Sequence, residues 1–285
     1  PYLIVGIPTV GRKGCLSCVR TLAVDYLTDT IEGILHQMTT DPLDPLYQQV
    51  LSTVWSISPT KRRKPSMLTH QVICELKCSE IQFFVNEQQN VDPLGTKDAD
   101  RPNQPGYRVR KQTRDVATLI KQAVGKSHYY LFMEDDFSFC PLTLRVIHYL
   151  LDKAYGVNND WISVKISFGM NGLLLRNEKP GGDLDVFGNY LVQHQARRPP
   201  DHLSTEWVAG ETAQSAEHKK GRAHMAYRYN LLVHRGRESS LQHAMQGNDF
   251  AQCYNELVDP VLFEVEAFKP KICGHDDIWP CHEKG

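Results

Sequence analysis

The sequence predicts an α/β fold in which a mostly parallel central sheet is flanked by helices. Short apolar runs, as in Leu3–Val5 and Tyr129–Phe132, are typical of buried parallel strands. Between such runs, apolar residues recur at helical spacing, for example at Leu142, Val146 and Ile147. Across 285 residues, these alternating patterns predict one large domain or two closely joined halves, residues 1–140 and 141–285.

The first half opens on a strand that breaks at the turn-rich segment Gly6–Arg12, and a helical pattern then runs to Tyr26. Arg108–Asp115 supplies hydrogen-bond donors at a predicted helix N-terminus, a position that favours anions. The other predicted elements of this half are a helix at Tyr47–Trp55, a strand at Ile81–Val85, a loop at Pro93–Pro105 that could order over a ligand, and a helix at Val116–Val124.

In the second half, Pro141 suits the first turn of a helix whose apolar face would pack on the sheet. The elements predicted after it are a strand at Trp161–Ile166, a tight turn at Ser167–Gly172, a helix at Phe187–His194 that breaks at Arg197–Asp201, and an extended run at Tyr227–Gly236.

Three adjacent acids, Glu134, Asp135 and Asp136, follow the buried strand at Tyr129–Phe132. Polar groups at the carboxyl end of such a strand lie at the mouth of an open α/β sheet, where ligands bind. Adjacent carboxylates repel one another, so a cation or several donors must stabilise them as a set. This pattern predicts a divalent-metal site, although the acids could instead solvate the strand end or start the next helix.

Composition restricts the classes of partner. Thirty-two basic and 33 acidic residues give a formal net charge of -1, which provides no electrostatic case for binding nucleic acid or a membrane surface. No apolar run reaches the ~20 residues of a membrane helix. The chain opens directly on a strand, so we expect a domain cut from a longer protein, with any native anchor or targeting segment outside this sequence.

Eight cysteines, an even number, favour an oxidising compartment. The segment Cys273–Cys281 contains Gly and Pro at its bends and is predicted to be a small disulfide-closed loop. Cys15 and Cys18 have the spacing of a zinc or redox pair, but no matching second pair follows them.

The strand, loop and helix at the start of the chain resemble a nucleotide-binding unit, in which Arg12 could face a phosphate. Neither a Gly-x-Gly-x-x-Gly fingerprint nor a P-loop is present, which weakens dinucleotide and ATP-hydrolysis hypotheses. An acidic strand end after such a start suits transfer from a sugar nucleotide, because a divalent ion must neutralise the leaving diphosphate. Inverting transfer also needs a carboxylate that deprotonates the acceptor hydroxyl.

Four blocks of the sequence together resemble the N-acetylglucosaminyltransferase IV family. They occur in the family's order and are Gly6–Val10, Arg110–Asp115 with the helix after it, Tyr129–Asp136, and Leu232–Leu241. The last block, which contains His234-Arg235-Gly236 and later Ser239-Ser240-Leu241, is the most specific of the four. The segment Asp41–Pro105 matches poorly and the block after Asp183 matches only loosely, so a distant member with another acceptor is an open alternative.

The resemblance implies a GT-A-type fold and an inverting transfer of GlcNAc, or a related sugar, from a UDP-sugar to a glycan hydroxyl, such as an N-glycan mannose. It makes residues 1–140 the nucleotide-sugar half and residues 141–285 the acceptor half, and it implies a location in the Golgi lumen or another secretory compartment. The residues that it assigns to the UDP-sugar are Pro8, Thr9, Val10, Arg12, Gln112, Arg114, Asp115, Glu134 and Asp135.

For the metal, Mn²⁺ or Mg²⁺, the resemblance implies Asp136 and His234 as ligands. Counting back from His234, the catalytic base of the family falls on Glu217, with Glu211 as the nearby competitor and Glu206 as a weaker one. Two other classes stay open on the sequence. One is a glycan- or nucleotide-binding domain of the same fold without catalysis. The other is a metal-dependent phosphohydrolase, which would need further ligands from other strands.

Overall fold

An eight-stranded, mostly parallel sheet lies at the centre of the described chain. The computed structural model describes residues 1–9, 26–56, 81–85, 91–101, 104–236 and 251–281, with backbone alone for 51–56, 81 and 83–85. The strands of this sheet are, in chain order, β1 (Leu3–Thr9), β2 (Val50–Ser56), β3 (Ile81–Val85), β4 (Tyr129–Phe132), β6 (Trp161–Lys165), β7 (Leu173–Arg176), β8 (Ala223–Tyr227) and β10 (Ile278–Trp279). A separate two-stranded sheet pairs β5 (Phe137–Phe139) with β9 (Leu232–His234).

The order across the large sheet is β10-β8-β6-β7-β4-β1-β2-β3, so both predicted halves of the chain contribute strands to it. Strands β1 to β4 run parallel to their sheet neighbours within that group, and β6 runs parallel to β8. Strand β7 lies antiparallel between β4 and β6, and β10 is antiparallel to β8. The predicted mixed α/β fold class with a mostly parallel sheet flanked by helices is therefore confirmed.

Helices cover both faces of the sheet. Their bounds are α1 (Tyr26–Leu35), α2 (Tyr107–Ala123), α3 (Thr143–Val157), α4 (Asp183–His194), α5 (Pro200–Ala209), α6 (Ala213–Lys219) and α7 (Pro270–Cys273). The apolar sides of α1 and α3 pack in one core, and those of α2, α4 and α5 pack in a second. Successive residues of a strand supply opposite faces, so Leu3 and Val5 enter the first core and Ile4 enters the second.

The strands predicted at the start of the chain, at Ile81–Val85, at Tyr129–Phe132 and at Trp161–Ile166 are confirmed, as are the helices predicted at Val116–Val124, after Pro141 and at Phe187–His194. The helix predicted at Tyr47–Trp55 is wrong, because Val50–Ser56 forms β2 and pairs in parallel with β1. Val50, Val54 and Trp55 are β-branched or aromatic, so strand propensity and pairing outweigh the apparent helical spacing.

Two predicted helix boundaries are also wrong. Helix α2 begins at Tyr107, so Arg108–Asp115 forms its first turns and Arg114 lies well inside it. The segment predicted only as a break, Arg197–Asp201, contains the start of α5 at Pro200. Proline at the first helical position lacks only an N–H that would have no helical partner there, so Pro200 starts this helix.

Two disulfides are formed among the described residues. Cys273 and Cys281 are bonded, as predicted, and a second bond joins Cys140 to Cys253. Cys15, Cys18, Cys74 and Cys78 lie outside the described residues. Within the part of the chain that the structure describes, no helix is both long and apolar enough to cross a membrane.

Candidate functional site

The acidic segment Glu134–Asp136 lies at the carboxyl edge of the sheet, where β4 ends beside β1. The Met133 N–H continues the pairing by donating to the Gly6 carbonyl oxygen, with an N···O distance of 3.1 Å. Gly6 also makes room for the Tyr130 side chain of β4, because a Cβ at that position would overlap the Tyr130 ring and hydroxyl. The two parallel strands therefore deliver the end of β1 and the three acids to the same edge.

Asp135 faces β1. Its Oδ2 accepts a hydrogen bond from Thr9 Oγ1 at 2.6 Å, and the Asp135 side chain is buried. From α1, Thr30 Oγ1 lies 2.9 Å from the Asp135 carbonyl oxygen and 2.6 Å from that of Phe137. These contacts hold the backbone of the acidic segment against the end of β1.

Glu134 faces the turn between β6 and β7. Its backbone N–H donates to Asn171 Oδ1 at 2.7 Å, and Asn171 Nδ2 donates back to Glu134 Oε2 at 2.9 Å. Burial and the Asp136 carboxylate raise the pKa of Glu134 to about 7, with smaller contributions from Asp135 and Asp201, while the Asn171 bond lowers it. Adjacent carboxylates repel one another, so a cation beside this segment would offset that repulsion.

Asp136 faces His234 of the small sheet. In this sheet Phe137 pairs with His234, and the Arg235 N–H donates to the Asp136 carbonyl oxygen at 2.7 Å. His234 Nε2 lies 3.4 Å from Asp136 Oδ2, and both side chains are largely buried. A Cβ on Gly236 would lie 2.9 Å from His234 Nε2 and would overlap Asp136 Oδ2, so only glycine fits beside this pair.

The Asp136 and His234 pair fits a divalent cation. Neighbouring ligands on one octahedral ion lie about 3 Å apart, close to the 3.4 Å between Asp136 Oδ2 and His234 Nε2. A carboxylate is a ligand that suits Mn²⁺ and Mg²⁺, and an imidazole nitrogen adds a transition-metal ligand. Within the described residues, no third His, Cys, Asp or Glu joins them in a three-residue cluster. The other positions of such an ion would be filled by a ligand and water.

The residues assigned to the UDP-sugar lie in two places. Pro8 and Thr9 end β1, beside the acids, whereas Val10 and Arg12 lie outside the described residues. The other three, Gln112, Arg114 and Asp115, are on α2.

Arg114 is buried on α2. Its Nη1 donates to Gln195 Oε1 at 2.6 Å and lies 3.3 Å from Asp92 Oδ2. Its Nε and Nη2 are also buried and have no hydrogen-bond partner within the described part of the chain. Asp115 accepts a hydrogen bond from Lys111 one turn earlier on the same helix. The described residues therefore provide no acceptor for two nitrogen donors of Arg114.

The three carboxylates considered for the catalytic base occupy different surroundings. Glu217 on α6 is three-quarters exposed and lies 3.2 Å from Lys220 Nζ. Glu211 pairs with Arg198 at 3.2 Å. Glu206 is fully buried and accepts hydrogen bonds from Tyr190 and Arg197, which fits a structural role. The described contacts of these three groups do not include the acidic segment Glu134–Asp136.

Asp201 is a site residue that the sequence interpretation missed. It is the second residue of α5, interacts electrostatically with Glu134, and lines a cavity of about 380 Å³. The available signal was Pro199-Pro200-Asp201, since proline at the first helical position followed by an acid is typical of a helix start. Asn171 was missed as well, within a predicted turn whose Gly169 and Gly172 have positive φ angles.

No protein-family model matches the chain, and no curated protein matches it. Solved structures that overlap it include TarS from S. aureus, with 10% identity, a TM-score of 0.39, and coverage of 76% of this chain and 41% of TarS. For a second structure, TarS 1-349, identity is 11%, the TM-score 0.37 and coverage 70% and 57%. Rv0371c from Mycobacterium tuberculosis H37Rv has 9% identity, a TM-score of 0.31, and coverage of 73% and 82%. At TM-scores this low, the overlaps establish no function for this chain.

Proposed function

We propose that the protein is a metal-dependent, inverting glycosyltransferase of GT-A type that moves GlcNAc or a related sugar from UDP to a glycan hydroxyl. The observation that carries the proposal is that the three acids of the segment Glu134–Asp136 contact three different parts of the fold. Asp136 faces His234 beneath Gly236, Asp135 faces the end of β1, and Glu134 faces Asn171. One strand end thus presents a cation-binding pair next to two carboxylates suited to hydroxyl groups.

Asp136 and His234 would hold Mn²⁺ or Mg²⁺. The bound ion would neutralise charge on the leaving diphosphate. Because residue 236 is glycine, its backbone lies close to both ligands, and no side chain at this position overlaps them. A phosphohydrolase would need ligands from outside the described residues, because within them no group of three such side chains converges.

The nucleotide would lie along the end of β1. Pro8, Thr9, Val10 and Arg12 are the proposed uridine and phosphate contacts, in agreement with the family resemblance. Asp135 and Glu134 would accept hydrogen bonds from ribose and sugar hydroxyls, since each is already oriented by a neutral donor. Gln112, Arg114 and Asp115 complete the proposed set, and Arg114 contributes two buried donors that have no described partner.

Asp201 replaces Glu217 as the proposed general base. In an inverting transfer, the acceptor hydroxyl loses its proton to a carboxylate as its oxygen attacks the anomeric carbon and the bond to UDP breaks. Asp201 lines the cavity that Gly169 also lines, and Gly169 belongs to the turn that holds Glu134 through Asn171. Glu217 is exposed and has Lys220 as its partner, and Glu211 pairs with Arg198.

The test of this role compares Asp201→Asn with Glu217→Gln and Glu211→Gln. We expect Asp201→Asn to lower the transfer rate by about 10²–10⁴-fold while UDP affinity stays unchanged. The two glutamate variants should keep wild-type turnover. UDP release would be measured with a panel of UDP-sugars and neutral N-glycans, and NMR of the product would give its anomeric configuration. Full activity of Asp201→Asn, or loss of activity in Glu217→Gln, would return the assignment to Glu217.

The proposed setting is the Golgi lumen or another secretory compartment. The two disulfides support an oxidising environment, because such bonds are rare in the cytosol. The alternative proposal is a glycan- or nucleotide-binding domain without catalysis. It would be favoured by UDP binding without turnover of any donor and acceptor in the panel.

A further inference from the structure

A cavity of about 380 Å³ opens between the start of α5 and the segment Asp259–Glu266, here called the cavity loop. Asp201 and Thr205 line it from α5, and Phe263 and Glu266 line it from the cavity loop. Gly169 also lines it, from the turn between β6 and β7 whose Asn171 bonds Glu134, so the cavity and the acidic strand end share this turn.

The cavity loop is held in one conformation by its own packing. Leu262 is buried in a small core with Leu257 and Ala267. The Val261 N–H donates to the Val258 carbonyl oxygen at 2.7 Å, and the Glu266 N–H donates to that of Phe263 at 2.9 Å. The loop is therefore formed before any ligand binds.

Phe263 presents an apolar surface at the rim of this cavity. Its side chain is 57% exposed although the backbone around it is fixed, and its ring meets the ring of His202 edge-on at 5.8 Å. Val261 beside it is 49% exposed. A positioned, exposed aromatic ring over a polar cavity is a typical surface for the apolar face of a sugar ring.

Carboxylates dominate the polar lining. Among the residues that the structure describes, four acids and no Lys or Arg line the cavity, and the acids are Asp201, Asp259, Glu264 and Glu266. Two of these acids are ion-paired, because Lys165 lies 3.1 Å from Glu266 and Lys269 lies 3.3 Å from Glu264. The negative charge of the lining that these lysines do not offset belongs to Asp201 and Asp259.

The floor of the cavity offers further acceptor capacity. Thr205 Oγ1 donates to Glu266 Oε2 at 2.9 Å. Glu266 Oε1 is buried and, although ion-paired, accepts no well-directed hydrogen bond within the described residues. Such a lining accepts hydrogen bonds from hydroxyl groups and repels anions.

We propose that this cavity is the acceptor subsite and that it selects an uncharged sugar, with Phe263 against the apolar face of the ring and the lining carboxylates accepting bonds from its hydroxyls. This inference rests on the proposed glycosyltransferase function, since it gives the acceptor its chemical class. The subsite would also bring the acceptor hydroxyl to Asp201, the proposed general base, which lines the cavity.

Saturation-transfer NMR tests the subsite without requiring turnover. The probes are uncharged methyl glycosides of mannose, galactose and N-acetylglucosamine, each compared with its 6-phosphate. We expect at least one uncharged glycoside to bind, and Phe263→Ala to weaken that binding about tenfold. The 6-phosphate should bind more weakly than its uncharged partner. The matched control is Val265→Ala, which removes an equally exposed apolar side chain of the cavity loop that does not line the cavity.

The UDP affinity of Phe263→Ala in Mn²⁺ separates this inference from the proposed function. Unchanged UDP binding together with Phe263-dependent glycoside binding supports both. If UDP binds but no glycoside depends on Phe263, or if a 6-phosphate binds at least as tightly, the subsite is wrong and the transferase proposal stands. If glycosides bind through Phe263 but UDP does not bind, the cavity is a glycan-binding site, and both its acceptor role and the transferase proposal are wrong.

Discussion

At the end of β4, three consecutive carboxylates have three different sets of neighbours. The three acids lie in the turn between β4 and β5 and not in a strand, so strand alternation does not constrain the directions of their side chains. The contacts of Glu134 with Asn171, of Asp135 with Thr9 and of Asp136 with His234 are all long-range in sequence. Each acid is consequently available for a separate chemical task within one small region.

His224 is a buried ionisable residue away from this site. It lies on β8, its Nδ1 is 2.7 Å from Ser163 Oγ, and its Nε2 is buried without a hydrogen-bond partner among the described residues. Burial, together with the charges of Lys165 and Lys219, lowers the pKa of His224 to about 3. The folded protein therefore keeps this imidazole neutral at pH values where the unfolded chain protonates it.

Because the folded pKa of His224 lies below its unfolded value of 6.5, stability that is present above pH 6.5 is lost as the pH falls from there towards pH 3. Wild type should lose about 2 kcal/mol more than His224→Asn between about pH 7.5 and about pH 5. Urea unfolding at the two pH values measures this difference. His148→Asn, at a partly exposed histidine on α3, should keep the wild-type pH dependence. Equal losses in wild type and His224→Asn would contradict the assignment.

At the scale of elements, α2 holds residues 91–101 and 104–105 mainly through the buried residue Arg110, and Arg114 adds a second contact to Asp92. Arg110 Nε donates to Asp92 Oδ2 at 2.9 Å, its Nη2 donates to Asp98 Oδ1 at 2.7 Å, and its Nη1 donates to the Pro105 carbonyl oxygen at 2.9 Å. The bond from Arg110 holds the pKa of Asp98 below its ordinary value. The segment predicted as a loop over a ligand is thus fixed to the fold by Arg110.

Replacing Arg110 should release this segment. Arg110→Met keeps an extended side chain but leaves the buried Asp92 carboxylate without its closest partner, so we expect a loss of about 3–5 kcal/mol in unfolding free energy. Cleavage within residues 91–101 by added protease should become faster. Arg108→Met, at an exposed position on the same helix, should change neither quantity. Indistinguishable urea midpoints for the two variants would show that Arg110 is not the anchor.

Helix α5 shows why part of the site escaped sequence interpretation. The apolar run of β4 and the parallel-strand rule correctly placed the acids at the carboxyl edge of the sheet. The approach of Asp201 to Glu134 depends on how α5 packs against α4 and the second core, which no local pattern encodes. Glu217 was assigned by counting along the chain, and such counting carries no information on exposure or three-dimensional distance.

For the whole molecule, the two cores and the shared sheet explain how distant segments meet. The sheet joins strands from residues 1–140 and 141–285, and parallel pairing brings the ends of β1 and β4 to the same edge of it. The disulfide between Cys140 and Cys253 closes 113 residues and ties the segment before the cavity loop to the end of β5. The α/β fold class and the position of the acids at the carboxyl edge of the sheet were predictable from periodicity. The strand order and this disulfide depend on long-range packing.

The central claim is that the acidic strand end binds UDP through a divalent ion. Calorimetric titration with UDP, in Mn²⁺ and in chelator, tests it most directly. We predict that UDP binds in Mn²⁺ and that chelation or Asp136→Asn weakens binding by about 100-fold or more, since loss of a direct ligand should exceed the 10–100-fold effect of outer contacts. Asp152→Asn, at an exposed acid on α3, should bind as wild type does. UDP affinity that is the same with and without the metal, or unchanged by Asp136→Asn, would contradict the account.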